Sequence, residues 1–518
     1  MDTPTIRRQT LGELLRRSAA RHPDKLAIAC GDVRWSYREF DALCNRLAAG
    51  LAREGVGKGD RVAMLARNSH AYAAMRFALA RLGAVLVPIN FMLKADEAAY
   101  ILRHAGARML ATDSGLADLA KAASRLDTRV EQLLWMPSEE PSQPVPGMLR
   151  FDVLADCSDA PPEVELSGGD LLQIVYTSGT ESSPKGAMLT HDAVLWQYVS
   201  CVVDAAIAGD DLALHALPLY HCAQLDVFFG PAIYVGSTNV ITAKPVPENL
   251  LPLIERHRIT SFFAPPTVWI SLLRSPIFDQ VDLSSLRKGY YGASAMPVEI
   301  LAEMRRRLPN LRLWNFYGQT EMAPLASALG PDEQDAHPDA AGRPVINVET
   351  AIVGDDGEPL GPRVVGEIVH RSPHLMLGYL DDAEKTAQAF AGGWFHSGDL
   401  GYYDEHGLLH VVDRKKDMIK TGGENVASRE VEEVLYRHNG IEEAAVFGLP
   451  HPTWVEAVVA AVVPREGSAP TEDDILAHCR EHLAGFKTPK RIFFVDELPK
   501  NPSGKLLKRQ LREEFARV

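Results

Sequence analysis

Between Gln173 and Gly186 the chain reads Gln-Ile-Val-Tyr176-Thr-Ser-Gly-Thr180-Glu-Ser-Ser-Pro-Lys185-Gly186, an apolar run passing into hydroxyl, glycine and lysine residues. A helix is expected to start near His191. Glycine and small hydroxyl residues let successive backbone N–H groups converge on an anion, and a lysine adds a mobile positive charge. The lysine follows proline and precedes glycine, so the GxxxxGK[ST] phosphate loop is absent. Other segments carry chemistry that is ambiguous taken singly. Glu321 reads equally as a surface acid, Asp399 as part of a Gly-Asp-Leu-Gly turn, and Tyr317 as a packed tyrosine. Lys505 stands in a basic tail with Lys500, Lys508 and Arg509, Gly422-Gly423 could simply lead into a helix, and a lone histidine such as His221 is more often a core residue.

Taken together these segments have an order. Tyr176-Thr-Ser-Gly-Thr180 with Pro184-Lys185-Gly186 is followed by Tyr317-Gly-Gln-Thr-Glu321 and by Trp394-Phe-His-Ser-Gly-Asp399-Leu-Gly401. Then come Asp413-Arg414-Lys-Lys416-Asp-Met-Ile-Lys420-Thr-Gly-Gly-Glu-Asn-Val426 and Pro502-Ser-Gly-Lys505. In that order they resemble the motifs of the adenylate-forming enzymes, which include acyl-CoA synthetases, peptide-synthetase adenylation domains and luciferases. Residues 421–434 resemble bacterial fatty-acyl-CoA synthetases in particular.

The resemblance implies an acid–thiol ligase that forms AMP. A carboxylate attacks the α-phosphorus of ATP, pyrophosphate leaves, and coenzyme A then takes the acyl group. An anion must approach a polyanion, so preorganised cations and hydrogen-bond donors are the main lever. By resemblance, Thr177, Ser178, Gly179, Thr180 and Lys185 grip the phosphates, Ala293, Ser294, Tyr317 and Gly318 surround adenine, and Asp399 and Arg414 take the ribose. Thr320 bonds the α-phosphate, Glu321 holds Mg²⁺, His221 lies near the substrate carboxylate, and Lys505 bridges carboxylate and phosphate. Lys420, Gly422 and Gly423 serve the thioester step after the small domain rotates, with Lys416 at the hinge.

Two departures stand out. Glu181-Ser182 occupy positions where the family's loop usually has Thr-Gly, and Ala427-Ser428 replace its usual aromatic–proline pair.

These residues need rigid elements behind them. Thr10-x-x-Glu13 and Ser36-x-x-Glu39 read as capping boxes that start helices. Val62–Leu65, a helix ending near Gly83, and Val85–Ile89 form a strand–helix–strand unit, which implies a parallel sheet. The alternation returns between 170 and 320. Six prolines between 137 and 162 mark a surface connection. Beyond Asp413–Asp417 the pattern predicts a helix at 429–438, strands at 443–447, 455–463 and 491–495, and a helix from about 473. The fold class is therefore α/β: a large N-terminal body (1–412), a hinge (413–416) and a small mobile α+β domain (417–518) with a ligand cleft between them.

The composition agrees. The chain has 518 residues, 46% apolar and 24% charged, and 54 basic against 68 acidic residues give a formal charge of −14. That sign argues against a sequence-independent nucleic-acid binder. Six scattered cysteines and the lack of an apolar leader fit a cytoplasmic protein, and no run reaches the length of a transmembrane segment. The expected partners are a small-molecule carboxylic acid, ATP and coenzyme A, with a homo-oligomer left open. The largely apolar stretch 223–235 points to an aliphatic acid of medium or long chain. The alternative is a stand-alone amino- or aryl-acid adenylating enzyme that delivers to a carrier protein; no Asp beside His221 is placed to pair a substrate ammonium.

Overall fold

The strand–helix–strand unit near the amino end forms as its sequence dictates. Arg61–Leu65 and Val85–Pro88 pair in parallel, and the helix between them, His70–Leu82, stops at Gly83 in the left-handed conformation. Every residue of that helix is buried, because it lies between two sheets and touches Val85–Pro88 of one and Leu26–Cys30 of the other. The computed structural model describes residues 7–177, 184–292, 296–415, 417–422, 424–500 and 506–516.

The first sheet has eight strands: a parallel set through 171–177, 85–88, 61–65, 109–112, 132–135 and 149–150, extended on one edge by antiparallel Lys185–Thr190 and Gly378–Tyr379. The second has nine strands, with a parallel centre that includes Ser261–Phe263, Lys288–Gly292 and Arg312–Gly318. A third, four-stranded antiparallel sheet ends with Phe395–Tyr403 and Leu409–Arg414. The next strand, Ile419–Thr421, already belongs to a separate sheet with Glu424–Val426, Ile441–His451, Val455–Pro464 and Arg491–Phe494. This small α+β lobe has its own cores, around Val446 and Ile475 on one face and Phe447 and Phe493 on the other. The chain is thus a large α/β body followed by a small C-terminal lobe.

Of the two expected capping boxes, the second is complete: Ser36 accepts from Glu39 N–H, and Glu39 accepts from Ser36 N–H at 2.7 Å. The first is half formed. Thr10 accepts from Glu13 N–H, but the Glu13 carboxylate turns to Arg8 and Arg16, both at hand with full charge.

One buried ion pair ties the layers together. Arg76 on the buried helix meets Asp226 at 2.8 Å, and Gln173 and Tyr198 donate to the same carboxylate at 2.7 and 3.1 Å. Burial pushes the Asp226 carboxyl up, against the pull of Arg76 and the two neutral donors. Removing one partner would leave the other charge stranded in the interior. Asp226→Ala should therefore lower the stability of the body by about 3–5 kcal/mol, read as a shift of its urea transition.

Candidate active site

The edges of the three body sheets and one side of the small lobe enclose a cleft of about 2390 Å³. Thr177 and Lys185 both reach it, facing each other as a register pair on antiparallel strands. The Lys185 ammonium lies 5.2 Å over the ring of Tyr379. Tyr379, not anticipated from sequence, donates its hydroxyl to Glu321 at 2.9 Å. It arrives because Gly378–Tyr379 adds to the strand edge at Ala187 and Met188. Nothing in the local sequence around 379 signals this meeting with Glu321.

Glu321 is buried, at 8% exposure, with one carboxylate oxygen engaged by Tyr379. Among the described residues no group of three or more metal-ligating side chains gathers. A lone carboxylate suits Mg²⁺, which keeps several waters and is bound through one or two carboxylates plus substrate phosphates. The residues present fit that ion on this ground.

Tyr317 and Gly318 end the strand Arg312–Gly318 at the cleft. A Cβ at 318 would sit 2.0 Å from the carbonyl oxygen of Pro324, so only glycine lets the chain pass there. The Tyr317 hydroxyl donates to Asp399 at 2.8 Å, and burial, with the neighbouring carboxylate, pushes this phenol well up. Asp399 faces Arg414 across two antiparallel strands, with Nε 3.5 Å from the carboxylate. Carboxylate, guanidinium and phenol thus form one cluster, able to accept from two adjacent hydroxyls on a sugar.

His221 lines the same cleft, and its Nδ1 accepts from the Ala223 N–H at 3.2 Å, which fixes the ring. The chain then enters a π-helix, Ala223–Phe229, where an α-helix or plain core segment would be the ordinary expectation. Such turns are rare and frequently found at functional sites. Ala223, Val227 and Phe228 look into the cleft, and Phe228 stacks on Phe263 with centroids 4.3 Å apart. Thr320 lies against Cys222, Oγ1 to Sγ 3.4 Å.

Lys420 and Gly422 are not brought to this cleft. They lie exposed on the small lobe's hairpin, where the Lys420 N–H donates to Glu456 and the Gly422 N–H to the Trp454 carbonyl. Ser178, Gly179, Thr180, Ala293, Ser294, Lys416, Gly423 and Lys505 fall outside the described residues. Lys500 and Leu506, which flank 501–505, pair with each other and both line the cleft.

Burial pushes the Cys222 thiol up to about 12, so it is not a nucleophile at neutral pH despite its place beside Thr320. Iodoacetamide at pH 8 should label the partly exposed Cys157 and spare Cys222, as read by mass spectrometry of the peptides.

Comparison with known proteins agrees with this arrangement. Residues 15–380 match the AMP-binding enzyme family and residues 430–505 its C-terminal domain. The chain is 37% identical over 510 residues to a feruloyl-CoA synthase of Amycolatopsis, covering 98% of this chain and 100% of that one. It is 33% identical to the long-chain-fatty-acid–CoA ligase FadD13 of Mycobacterium tuberculosis, covering 98% and 99%. Among solved structures, the anthranilate CoA ligase AuaEII in complex with anthranoyl-AMP superposes with a TM-score of 0.90 at 27% identity, covering 98% and 97%. The chain belongs to the AMP-binding enzyme family, alongside these acid–thiol ligases.

Proposed function

We propose that this protein is an ATP-dependent acyl-CoA ligase that activates a carboxylic acid with an apolar body and passes the acyl group to coenzyme A. One observation carries the reading. Residues from four distant segments (Thr177 with Lys185, Tyr317 to Glu321, Asp399 and Arg414) line one cleft together with both residues that flank 501–505.

In the first half-reaction a carboxylate oxygen of the acid bonds to the α-phosphorus and pyrophosphate leaves. Asp399 and Arg414 hold the ribose, Tyr317 and Gly318 with Ala293 and Ser294 bound the adenine, and Lys185 with residues 177–180 grips the phosphates. Mg²⁺ bound at Glu321 would neutralise phosphate charge; Tyr379 orients that carboxylate. Thr320 bonds the α-phosphate, His221 steadies the incoming carboxylate, and Lys505 supplies the bridging positive charge. In the second half-reaction the coenzyme A thiol attacks the acyl carbon and AMP leaves. For this step we assign Lys420 and Gly422, both exposed on the small lobe, together with Gly423, with residues 1–412 as the body, 413–416 as the hinge, Lys416 at its pivot, and 417–518 as the moving domain.

For the acid we propose an aliphatic monocarboxylate of medium or long chain. Val227, Phe228, Phe263 and Phe316 line the same cleft as His221, and none of the four carries a charge. A second reading, an aryl acid, is favoured by the stacking of Phe228 on Phe263, which presents a flat aromatic surface. ATP–pyrophosphate exchange with a panel of aliphatic, aryl and amino acids, with and without coenzyme A, separates these. Thioester formation is expected with apolar acids; exchange with amino acids and no thioester would establish a carrier-delivering enzyme instead.

Two substitutions test the roles. Lys505→Ala should slow adenylate formation by roughly 10²–10³-fold while sparing thioester formation from supplied acyl-adenylate; a deficit under tenfold in exchange would sink the assignment. Asp399→Ala should raise the ATP KM by roughly ten- to a hundredfold, the cost of a hydrogen bond to a charged group, with thioester formation from supplied acyl-adenylate followed in parallel.

A further inference from the structure

The small lobe's first helix, Ser428–Tyr436, begins without a cap of its own, since Ala427 stands at the cap position and has no acceptor. The acceptor comes from the other lobe. Asp413, on the body's last strand, turns one carboxylate oxygen to both donors of Ser428: the backbone N–H at 2.6 Å and the hydroxyl at 2.7 Å. Ser428 is fully buried. The same hydroxyl accepts from Lys508, at the start of the helix Lys508–Phe515, and Lys508 pairs with Glu432 at 2.8 Å. The other oxygen of Asp413 accepts from the N–H of Arg414, the residue that faces Asp399. A second link crosses the same boundary, from Arg429 Nη1 to the Val411 carbonyl at 2.8 Å.

Ser428 belongs to the departure at 427–428. Proline there would have neither the N–H nor the hydroxyl, and Asp413 would face no donor at that position. The residue that breaks the family pattern is the one that makes this contact.

We infer that Asp413 and Ser428 are positioning residues for the adenylating half-reaction, clasping the small lobe in the orientation that puts Lys500, Leu506 and Lys508 on the wall of the nucleotide cleft. The inference rests on the ligase reading above. A charged acceptor on a helix N-terminus satisfies an orphan donor and meets the positive end of the helix dipole, so the clasp favours this orientation over any in which the two residues separate. The half-reaction that uses the other orientation gains nothing from it.

The test uses Ser428→Ala and Asp413→Ala in the full chain. Asp413→Ala, which removes the cap's acceptor, should slow ATP–pyrophosphate exchange about tenfold. Ser428→Ala, which keeps the backbone N–H bond and loses only the hydroxyl's, should slow it roughly threefold. In both, thioester formation from supplied acyl-adenylate and coenzyme A stays at or above the wild-type rate. A merely structural loss would lower both half-reactions together, and that result would overturn the inference. Trypsin cleavage within 414–420, measured without substrate by mass spectrometry, should be faster in both variants; unchanged cleavage in both would overturn it as well. If the wild-type protein exchanges with no acid, the ligase reading fails, and the cleavage rates still decide whether the clasp exists.

Discussion

Asp399 and Arg414 stand opposite each other on neighbouring antiparallel strands, and that wall of the cleft depends on the register. A one-residue slip would turn both side chains to the other face of the sheet. Three anchors hold the register: the Ser397 hydroxyl bonds back to the Asp399 N–H, Tyr317 donates to the Asp399 carboxylate, and the Lys415 N–H bonds to the Gly398 carbonyl. The pair is therefore assembled before any ligand arrives. A site whose donors and acceptors are already aimed spends little on reorganisation when charge builds.

The formal charge of −14 sits easily with a polyanionic substrate once the local arrangement is considered. Lys185, Arg414, Lys500 and Lys508 line the cleft, and several of the acids beside them are already engaged: Asp399 by Arg414 and Tyr317, Glu321 by Tyr379, Glu432 by Lys508. Net charge governs solubility and long-range fields, while binding is decided within a few ångströms. Val227, Phe228 and Phe263 give the same cleft an apolar stretch of wall.

What was legible in the sequence follows how far along the chain each interaction reaches. The unit 61–88, the Ser36 capping box and the alternating helices and strands after 417 are set by neighbours within a few residues, and all formed nearly as expected. The residues that gather on the cleft wall, from Thr177 and Lys185 to Asp399 and Arg414, were legible through the order of their motifs. Three features were out of reach. The π-helix at 223–229 inserts an extra residue per turn that a 3.6-residue period does not reveal. Tyr379 meets Glu321 only because a two-residue strand adds to a sheet edge. The Thr10 box looked like the Ser36 box, yet two arginines outcompeted the backbone for Glu13.

The link between lobes sets how they can move. Residues 415–418 separate the body's last strand from the small lobe's first. At about 3.5 Å per residue such a link cannot stretch beyond roughly 20 Å, so the small lobe can turn about it but cannot depart. Asp413 and Arg414 end the body's last strand, which puts the partner of Asp399 and the helix-capping carboxylate on consecutive residues. Because their side chains point to opposite sides of that strand, one faces Asp399 while the other faces the small lobe. The strand that carries half of the Asp399–Arg414 pair is thus also the strand against which the small lobe is seated, and the backbone N–H of Arg414, bonded to Asp413, joins the two contacts through a single peptide unit.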